Sequence, residues 1–460
     1  MEPKGESCMK SINPATGEVI AHYADHSEAE MEARLTRAAR AAAQWREVPL
    51  DQRAAQLRAM GEQLERQAET LGALMTAEMG KPIGQAEGEA RKCAWVCRYY
   101  ADHGPQMLQE RHVSAAAGHS LVRFDPIGVV LSIMPWNFPL WQVLRFAAPA
   151  LLAGNAVVVK HAPNVQGTAE AIEALALEAG LPEGLLINLR VGTEQVAAVI
   201  ADRRIAAVTL TGSDRAGRAV ASHAGQALKK TVLELGGSDP AIVLADADLR
   251  WAIPQLIRGR MQNSGQSCIA IKRILVHRSI LESFTQAYVE AVQDLHVGDP
   301  TDHETDVGPL ARADLVDTLE AQVTASVEAG ARVLVGGHRL DRPGYFYAPT
   351  VLADVPADAP ARTEEVFGPV ATLIPFETVE EAVAIANATR FGLASSIWTR
   401  DRALAQSLIP QMEAGSVFIN RMPGSDPRLP FGGVKESGYG RELGIYGLME
   451  FVNVRTVCID

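Results

Sequence analysis

The N-terminal part of the chain carries a helical pattern of apolar residues. In residues 27–80 and 85–106, apolar positions recur every three or four residues among Ala, Glu, Arg and Leu. This spacing gathers the apolar side chains on one face of a helix. It predicts amphipathic helices over both ranges.

From residue 121 onward the pattern changes to short β-branched runs separated by helical segments. A first series of predicted strands lies at 128–134, 156–160, 186–191, 206–211 and 231–235, with helices such as 168–179, 193–201 and 216–228 between them. A second series lies at 241–244, 273–277, 332–336, 370–376, 395–399 and 416–420, with helices such as 279–295 and 315–329. Alternating strands and helices indicate right-handed βαβ units and buried, mostly parallel sheets. We therefore predict a doubly wound α/β fold, which binds dinucleotides at the carboxyl ends of its strands.

The two series of strands meet at a glycine pair, residues 236–237. Segments 112–123 and 451–459 are β-prone but fit neither series, and we interpret them as a projecting hairpin and a terminal strand. The predicted division is a dinucleotide-binding domain at 1–107 and 125–236, a catalytic domain at 237–445, and an oligomerisation element at 108–124 and 446–460. The last element would bridge the subunits of a homodimer or a homotetramer, which reuse the same surface patches.

Composition and charge narrow the class of protein. The 460 residues include 43 Lys and Arg against 55 Asp and Glu, a formal net charge of −12, which disfavours nucleic acid or an anionic membrane as the main partner. Residues 1–13 mix charges without an apolar segment, so we do not expect a secretory signal. The most apolar stretch, 146–159, is shorter than the roughly 20 residues of a membrane span. We expect a cytoplasmic protein.

The cysteines raise the first question of chemistry. The five residues are Cys8, Cys93, Cys97, Cys268 and Cys458. They are too few and too scattered to form a disulfide framework, and this use of cysteine is typical of proteins in a reducing compartment. Cys93 and Cys97 lie four apart in a helical segment without a second Cys/His pair, so we expect core packing and no metal site. Cys268 ends the run Asn-Ser-Gly-Gln-Ser-Cys at 263–268, whose small polar residues suit an accessible nucleophile; the alternative is a buried, inert thiol.

Two further segments carry candidate chemistry. Gly-Ser-Asp-Arg-Ala-Gly at 212–217 follows a predicted strand and opens a helix, where backbone N–H groups can approach a phosphate. Arg218 and Ala219 replace the Lys and Ser/Thr of a P-loop, so nucleotide hydrolysis is not indicated. The glycines could equally serve only to form the turn between strand and helix.

Glu234 lies at an apolar strand end, where burial would raise its pKa and favour a general base. Its alternative role is a carboxylate bonded to nearby backbone N–H groups.

Taken together, six motifs identify a family resemblance. They are Pro-Trp-Asn-Phe-Pro at 135–139, the turn at 212–217, Glu-Leu-Gly-Gly at 234–237, Gly-Gln-Ser-Cys at 265–268, Glu-Val-Phe-Gly-Pro at 365–369 and Pro-Phe-Gly-Gly-Val-Lys at 430–435. In type and order the chain resembles the aldehyde dehydrogenase superfamily over effectively its whole length. The resemblance implies a Rossmann-type cofactor domain, an α/β catalytic domain and a small β oligomerisation element.

The resemblance also implies catalytic roles. Cys268 would attack the aldehyde carbon as a thiolate. The Asn137 amide and the Cys268 backbone N–H would stabilise the resulting oxyanion, because donors fixed in place before charge develops are effective. Glu234 would activate the water that hydrolyses the thioester. A non-catalytic relative would be expected to lack one of these residues, and phosphorylating or CoA-acylating relatives tend to lack or reposition the base.

The implied cofactor is NAD or NADP. Lys160 and Glu365 resemble the residues that bind the two riboses of the cofactor. Phe367 resembles the residue that packs beside the nicotinamide, and Trp136 lines the same cleft. Gly212 and Ser213 resemble the turn that faces the pyrophosphate. Lys160 could instead be a solvated strand-end lysine, and Phe367 a core aromatic residue. Pro163 stands where many NAD-preferring relatives carry Glu, so it neither accepts hydrogen bonds from the ribose nor repels a 2′-phosphate. We therefore expect use of both cofactors, and we expect His161 to be a surface residue.

The substrate follows from a more specific resemblance. Arg145, on the helix after the 135–139 motif, matches the arginine that holds the distal carboxylate in succinate-semialdehyde dehydrogenases, and Ser425 resembles a second carboxylate contact. Gln262 replaces a further arginine, so Arg421 or Arg428 could contribute; Arg145 could alternatively pair with an internal acidic residue. The chain looks most like the short bacterial succinate-semialdehyde dehydrogenases that use NAD(P)+. The predicted reaction is oxidation of succinate semialdehyde, a small-molecule aldehyde, to succinate, the alternative being a broad-specificity aliphatic or aromatic aldehyde dehydrogenase.

Overall fold

The computed structural model describes residues 8–114 and 119–459. Four helices form the N-terminal layer, as the sequence predicts for 27–80 and 85–106: Glu28–Trp45, Leu50–Arg66, Ala68–Met79 and Ile83–Met107. Ser27 caps the first of them, because its side chain accepts a hydrogen bond from the Glu30 backbone N–H. The Glu30 side chain in turn accepts one from the Ser27 backbone N–H. Within the described ranges, no helix combines the length and apolar character needed to cross a membrane.

The first sheet corresponds to the first predicted series of strands. Its order is Gly438–Tyr439, Lys230–Glu234, Ile205–Thr211, Val129–Met134, Ala156–His161 and Leu186–Asn188. All neighbours are parallel except the short first strand. The helices of this part are Trp141–Ala153, Gln166–Glu178, Val196–Ala201 and Asp214–Gln226. The first of these helices is buried along its whole length.

The second sheet has seven strands. Their order is Arg332–Val335, Thr350–Ala353, Val370–Phe376, Ile271–His277, Asp239–Val243, Ala394–Trp398 and Ser416–Ile419. Only the first pair is antiparallel. The helices of this part are Leu249–Met261, Leu281–Gln293, Ala313–Glu328, Pro360–Thr363, Val379–Asn387 and Arg402–Leu408. The last helix, Gly444–Met449, packs instead against helices Trp141–Ala153 and Ile83–Met107. The sequence predicts all of these strands except Thr350–Ala353, which has only four residues.

A separate three-stranded sheet contains the two unassigned β-prone segments. Arg111–Val113 and Val452–Ile459 both pair antiparallel with His119–Pro126; residues 115–118 of the predicted hairpin lie outside the described residues. Two small ladders complete the strands, Cys8–Ile12 with Val19–Ala24 and Phe391–Gly392 with Val434–Lys435. The strand at 438–439 belongs to the first sheet although it lies in the range assigned to the catalytic domain. The domain boundaries and the bridging role stay predictions.

A completely buried arginine joins two loops at the edge of the second sheet. The Arg260 guanidinium, at the end of helix Leu249–Met261, donates to the carbonyl oxygens of Val370 (2.6 Å), Val366 (2.9 Å), Gly265 (3.3 Å) and Gly368. No carboxylate lies within ion-pairing distance of it in the described ranges. Carbonyl oxygens buried without a donor are costly, so this side chain stabilises the arrangement of both loops.

We predict that Arg260→Met lowers the free energy of unfolding by about 3–5 kcal/mol, because several buried carbonyl groups lose their donor. Denaturation by guanidinium chloride, followed by tryptophan fluorescence, measures the change. Arg258→Met removes an exposed arginine from the same helix and should change stability by no more than about 0.5 kcal/mol. Equal stability of the two variants would contradict the role given to Arg260.

Candidate active site

A cavity of about 730 Å³ lies between the N-terminal helices, helix Trp141–Ala153 and the loop that carries Cys268. Its walls mix apolar rings with polar groups. They include Phe138, Trp141, Phe431, Gln142, Gln262, Lys92, Arg145, Arg258, Ser425 and the thiol of Cys268. A concave, largely apolar space with few polar groups is typical of a small-molecule site.

The loop before Cys268 has an unusual backbone. Asn263, Ser264 and Gly265 all have positive φ angles, of 55°, 54° and 75°. Such conformations are unfavourable for residues other than glycine and concentrate at functional sites. At Gly265 a side chain is also sterically impossible, because a Cβ would lie 2.2 Å from the Gly368 carbonyl oxygen. The loop therefore depends on glycine at this position.

The structure brings Asn137 against this loop. The Asn137 Nδ2 donates to the Gln266 carbonyl oxygen at 3.1 Å, and the Asn263 Nδ2 donates to the Asn137 carbonyl oxygen at 2.7 Å. Because an amide NH₂ has two hydrogens, Asn137 keeps one for another acceptor. The Asn137 side chain is thus bonded to Gln266, which precedes Cys268 by two residues in the sequence. Its role as an oxyanion donor stays a prediction.

Burial and nearby cations shift the pKa of the Cys268 thiol in opposite directions. Burial raises the pKa of Cys268 to about 12, while the nearby cations Arg145 and Lys272 lower it. The completely buried Lys272 ammonium donates to the carbonyl oxygens of Ser267 (2.7 Å) and Cys268 (2.5 Å). Lys272 also lies 3.6 Å from the Glu365 carboxylate. The sequence does not predict a role for Lys272. The one feature that could have pointed to it is its position four residues after Cys268.

Glu234 lies at the end of strand Lys230–Glu234 and is 2% exposed. Burial raises its pKa well above the ordinary range, and repulsion from Glu442 adds to this, as the apolar strand end predicts. Neither carboxylate oxygen has a hydrogen-bond partner in the part of the chain described, so the expected alternative of backbone N–H partners is not seen. Gly432 packs directly against this carboxylate. The general-base role of Glu234 stays a prediction.

Arg145 lines the cavity but has an internal partner. Its Nε pairs with the buried Glu442, its Nη2 donates to the Thr211 hydroxyl at 3.2 Å, and its guanidinium lies 4.7 Å from the centre of the Phe431 ring. The internal acidic partner considered as an alternative therefore exists. Since Arg145 nevertheless faces the cavity, its contact with substrate stays a prediction.

Ser425 also lines the cavity, and it has a partner that sequence reasoning missed. The Lys92 Nζ donates to the Ser425 hydroxyl at 2.7 Å. Arg421 and Arg428, the suggested substitutes for a second arginine, are exposed and do not line the cavity. Arg428 instead pairs with Asp426. Gln85, Gly88 and Lys92 are spaced three and four residues apart on helix Ile83–Met107, so they lie on one face of it, and all three line the cavity. This spacing was the signal in the sequence that could have identified Lys92.

A buried ion pair fixes the helix that carries Arg145. The Glu89 Oε1 accepts from the backbone N–H groups of Leu140 (3.0 Å) and Trp141 (2.9 Å), where this helix begins. Its Oε2 pairs with the completely buried Lys81. A carboxylate at a helix N-terminus is favourable because it satisfies N–H groups that lack intrahelical partners. The helix therefore enters the site in a defined position.

The predicted phosphate turn is a strand-to-helix connection in the structure. Strand Ile205–Thr211 is followed by Gly212 and Ser213, and helix Asp214–Gln226 begins after them. The Gly212 N–H donates to the Glu234 carbonyl oxygen at 3.0 Å. The Ser213 hydroxyl caps the helix by accepting from the Ala216 N–H at 3.3 Å. The turn lies at the carboxyl edge of the first sheet, where a doubly wound fold binds dinucleotides.

Other proposed cofactor residues lie together at the boundary of the two sheets. Trp136 and Phe367 meet edge to face with ring centres 5.8 Å apart. The Glu365 carboxylate accepts from the Gly237 N–H at 3.0 Å. Burial raises the pKa of Glu365, while Lys272 opposes this effect. The structure thus brings these residues together, and their contacts with a cofactor stay a prediction.

Lys160 and His161 are both buried at the end of their strand. Lys160 is 9% exposed, and burial lowers its pKa; within the described residues it has no carboxylate at ion-pairing distance. His161 is completely buried, so its expected surface position is wrong. Its Nδ1 accepts from the Ala162 N–H, and its Nε2 therefore donates to the Pro139 carbonyl oxygen at 2.9 Å, which ties the strand to the 135–139 turn. Pro163 is exposed at the start of the short helix Pro163–Val165.

Among residues 8–114 and 119–459, the structure contains no group of three or more His, Cys, Asp or Glu side chains arranged to hold a metal ion. Cys93 and Cys97 are both completely buried in helix Ile83–Met107. Burial raises the pKa of both thiols.

Comparisons with known proteins establish the family of the chain. The sequence matches the aldehyde dehydrogenase family over residues 1–457. It is 50% identical over 449 residues to a probable NADP(+) succinate-semialdehyde dehydrogenase from Synechocystis sp., covering 98% of this chain and 99% of that protein. It is 48% identical over 452 residues to an NADP(+) succinate-semialdehyde dehydrogenase from Mycobacterium tuberculosis, with 98% and 99% coverage.

A solved structure gives the same result for the fold. The crystal structure of succinic semialdehyde dehydrogenase from Streptococcus pyogenes in complex with NADP+ superposes with a TM-score of 0.96 at 36% sequence identity. The match covers 98% of this chain and 99% of that one. The chain therefore belongs to the aldehyde dehydrogenase family.

Proposed function

We propose that the protein oxidises succinate semialdehyde to succinate with NAD(P)+. The observation that carries this proposal is that Cys268 shares one cavity with Arg145 and Ser425. A thiol and a set of hydrogen-bond donors at different places in the cavity suit a substrate with an aldehyde at one end and a carboxylate at the other. The names of the Synechocystis and Mycobacterium relatives support the same substrate.

The chemistry begins at the cysteine. The Cys268 thiol first passes its proton to solvent water, which is necessary because its pKa is high, and the thiolate then attacks the aldehyde carbon. The free Asn137 amide hydrogen and the Cys268 N–H then stabilise the oxyanion of the thiohemiacetal. Lys272 acts as a positioning residue, since its bonds to the Ser267 and Cys268 carbonyl oxygens fix the peptide that carries this N–H.

The second half is hydrolysis. When bound, NAD(P)+ would supply the acceptor for the hydride that the thiohemiacetal carbon loses as the thioester on Cys268 forms. Glu234 takes a proton from water, and the resulting hydroxide displaces the Cys268 thiolate and releases the acid. A carboxylate with a raised pKa is a stronger base than an exposed one, as this step requires. The thiolate then recovers a proton for the next cycle.

The residues present fit a phosphorylated dinucleotide. Lys160 offers a buried ammonium without an acidic partner in the described ranges at the carboxyl end of its strand, and Ser213 caps a helix of 13 residues at the neighbouring turn. Pro163 places no carboxylate near them. We propose use of both cofactors, with NADP+ preferred, in line with the relatives named for NADP(+).

A broad-specificity aldehyde dehydrogenase is the second candidate. The cavity volume favours it, because about 730 Å³ exceeds the needs of a four-carbon acid. Phe138, Trp141 and Phe431 also provide apolar walls for an aliphatic or aromatic aldehyde. A comparison of charged and uncharged aldehydes separates the two candidates.

We also propose assembly as a homodimer or homotetramer through the three-stranded sheet. Its strands expose Val113, Val454 and Ile459. Exposed apolar side chains on edge strands favour pairing with another chain.

For substrate choice, we predict that kcat/KM for succinate semialdehyde exceeds that for butanal, which has the same chain length, by at least about 10-fold. Initial rates with each aldehyde and each cofactor measure the ratio. Benzaldehyde serves as the aromatic comparison. Equal or higher values for the uncharged aldehydes would favour the broad-specificity alternative.

For the base, we predict that Glu234→Gln keeps a stoichiometric burst of reduced cofactor while the steady-state rate falls by about 100- to 10,000-fold. The succinyl thioester should then be found on Cys268 by mass spectrometry. Cys268→Ala is the control and should give no burst. A wild-type steady-state rate in Glu234→Gln, or loss of the burst, would exclude the deacylation role.

For the cofactor, we predict that Pro163→Glu lowers kcat/KM for NADP+ by about 10- to 100-fold, since a carboxylate there repels the 2′-phosphate. The value for NAD+ should stay the same or rise. Pro163→Ala, which removes the ring without adding charge, should retain the wild-type ratio of the two cofactors. An unchanged value for NADP+ in Pro163→Glu would place position 163 away from the phosphate.

A further inference from the structure

The cavity contains a lysine with no role in the chemistry described above. Lys92 lies in helix Ile83–Met107, its ammonium donates to the Ser425 hydroxyl at 2.7 Å, and it lies 4.2 Å from the centre of the Trp141 ring. Both of these neighbours also line the cavity. The cation is therefore held by one polar and one aromatic contact, and it faces the space that substrate would occupy.

The other buried charges around this space are balanced. Arg145 pairs with Glu442, and Glu89 pairs with Lys81. Lys92 differs from them, because no carboxylate lies within 4.0 Å of its ammonium among the residues that the structure describes. A cation without a paired anion at a partly buried position has an energetic reason to bind one.

We propose that Lys92 binds the distal carboxylate of the substrate and makes the enzyme selective for acid aldehydes. This inference rests on the proposed oxidation of succinate semialdehyde. It assigns to Lys92 the net positive charge that Arg145 cannot supply, because Glu442 neutralises Arg145. Arg145 can still contribute hydrogen bonds to the same ligand.

Ser425 completes the recognition site. Its oxygen accepts from Lys92, so its own O–H remains available to donate. A carboxylate beside this pair would receive one hydrogen bond from the ammonium and one from the hydroxyl. Charge-assisted hydrogen bonds of this kind are about twice as strong as neutral ones. An uncharged aldehyde gains neither of them.

The charge on Lys92 is sensitive to pH. Burial lowers the pKa of Lys92 to about 8; Cys93, Glu89 and Asp426 raise it, and Arg145 lowers it. Arg258 and Asp306 are further charged groups on the cavity wall. Lys92 is charged below this pKa and loses its proton as the pH rises through it, so selectivity for the carboxylate should fall between pH 7 and 9.

The test compares succinate semialdehyde with butanal in the full-length enzyme. Lys92→Met keeps the length of the stem without the charge, and Lys92→Arg keeps the charge. We expect Lys92→Met to lower kcat/KM for succinate semialdehyde by about 10- to 100-fold, mainly through KM, and to leave butanal unchanged or improved. Lys92→Arg should stay within a few-fold of the wild type. Arg421→Gln is the matched control, because it removes an exposed charge four residues from Ser425 and outside the cavity.

The ratio of kcat/KM for the two aldehydes gives the pH test, since titration of Cys268 and Glu234 affects both substrates. We expect this ratio to fall from pH 7 to 9 in the wild type and to be constant in Lys92→Met. If Lys92→Met does not fold, Lys92→Gln replaces it with the same expectation.

Two results would overturn the role of Lys92. One is an unchanged value for succinate semialdehyde in Lys92→Met, and the other is an equal loss for both aldehydes, which would indicate a structural role only. In either case a wild-type preference for succinate semialdehyde would leave the proposed function intact. A wild-type enzyme that prefers butanal would instead overturn the proposed function and, with it, the inference about Lys92.

Discussion

The candidate active site depends on buried cations that donate hydrogen bonds to backbone carbonyl oxygens. Arg260 joins the loop at 262–268 to the loop at 365–370, and Lys272 binds the carbonyl oxygens of Ser267 and Cys268 while it faces Glu365. These bonds compensate for the left-handed backbone at 263–265, which would be unfavourable alone. Because the same cations contact both loops, Cys268 and Glu365, the proposed nucleophile and ribose partner, cannot shift independently. The Asn137 amide is fixed by the same loop through Gln266.

The distribution of buried charge is compatible with the proposed binding of an anionic substrate by an acidic protein. The net charge of −12 is a property of the whole chain, but the cavity is surrounded by pairs that cancel locally, Arg145 with Glu442 and Lys81 with Glu89. The ammonium of Lys92 has no carboxylate within 4.0 Å in the described ranges, and the exposed Arg258 on the same cavity wall has none either. Coulomb interactions at short range and low dielectric outweigh distant surface charges screened by water and salt. Local positive potential can thus coexist with a negative surface.

The sequence predicts the sheets and the motif residues because these depend on local pattern. β-branched runs identify both series of strands, and the glycine-rich turn at 212–217 is found between a strand and a helix as predicted. The partners of Arg145 and Lys92 were beyond this reasoning, since Glu442 and Ser425 are distant in sequence and reach the cavity only through tertiary packing. The error at His161 has the same origin, because a histidine at a strand end gives no local sign that the 135–139 turn will cover it. The strand Thr350–Ala353 was missed because four residues carry too little periodicity.

One cavity holds the thiol of Cys268, the proposed nucleophile, and the ammonium of Lys92, which we propose selects acid aldehydes. The most direct measurement is a crystal structure of the Cys268→Ala variant with NADP+ and succinate semialdehyde. We expect the aldehyde carbon beside residue 268 and the Asn137 amide, with the distal carboxylate within hydrogen-bond distance of the Lys92 Nζ and the Ser425 Oγ. A carboxylate bound elsewhere, with Lys92 and Ser425 still bonded only to each other, would contradict the account.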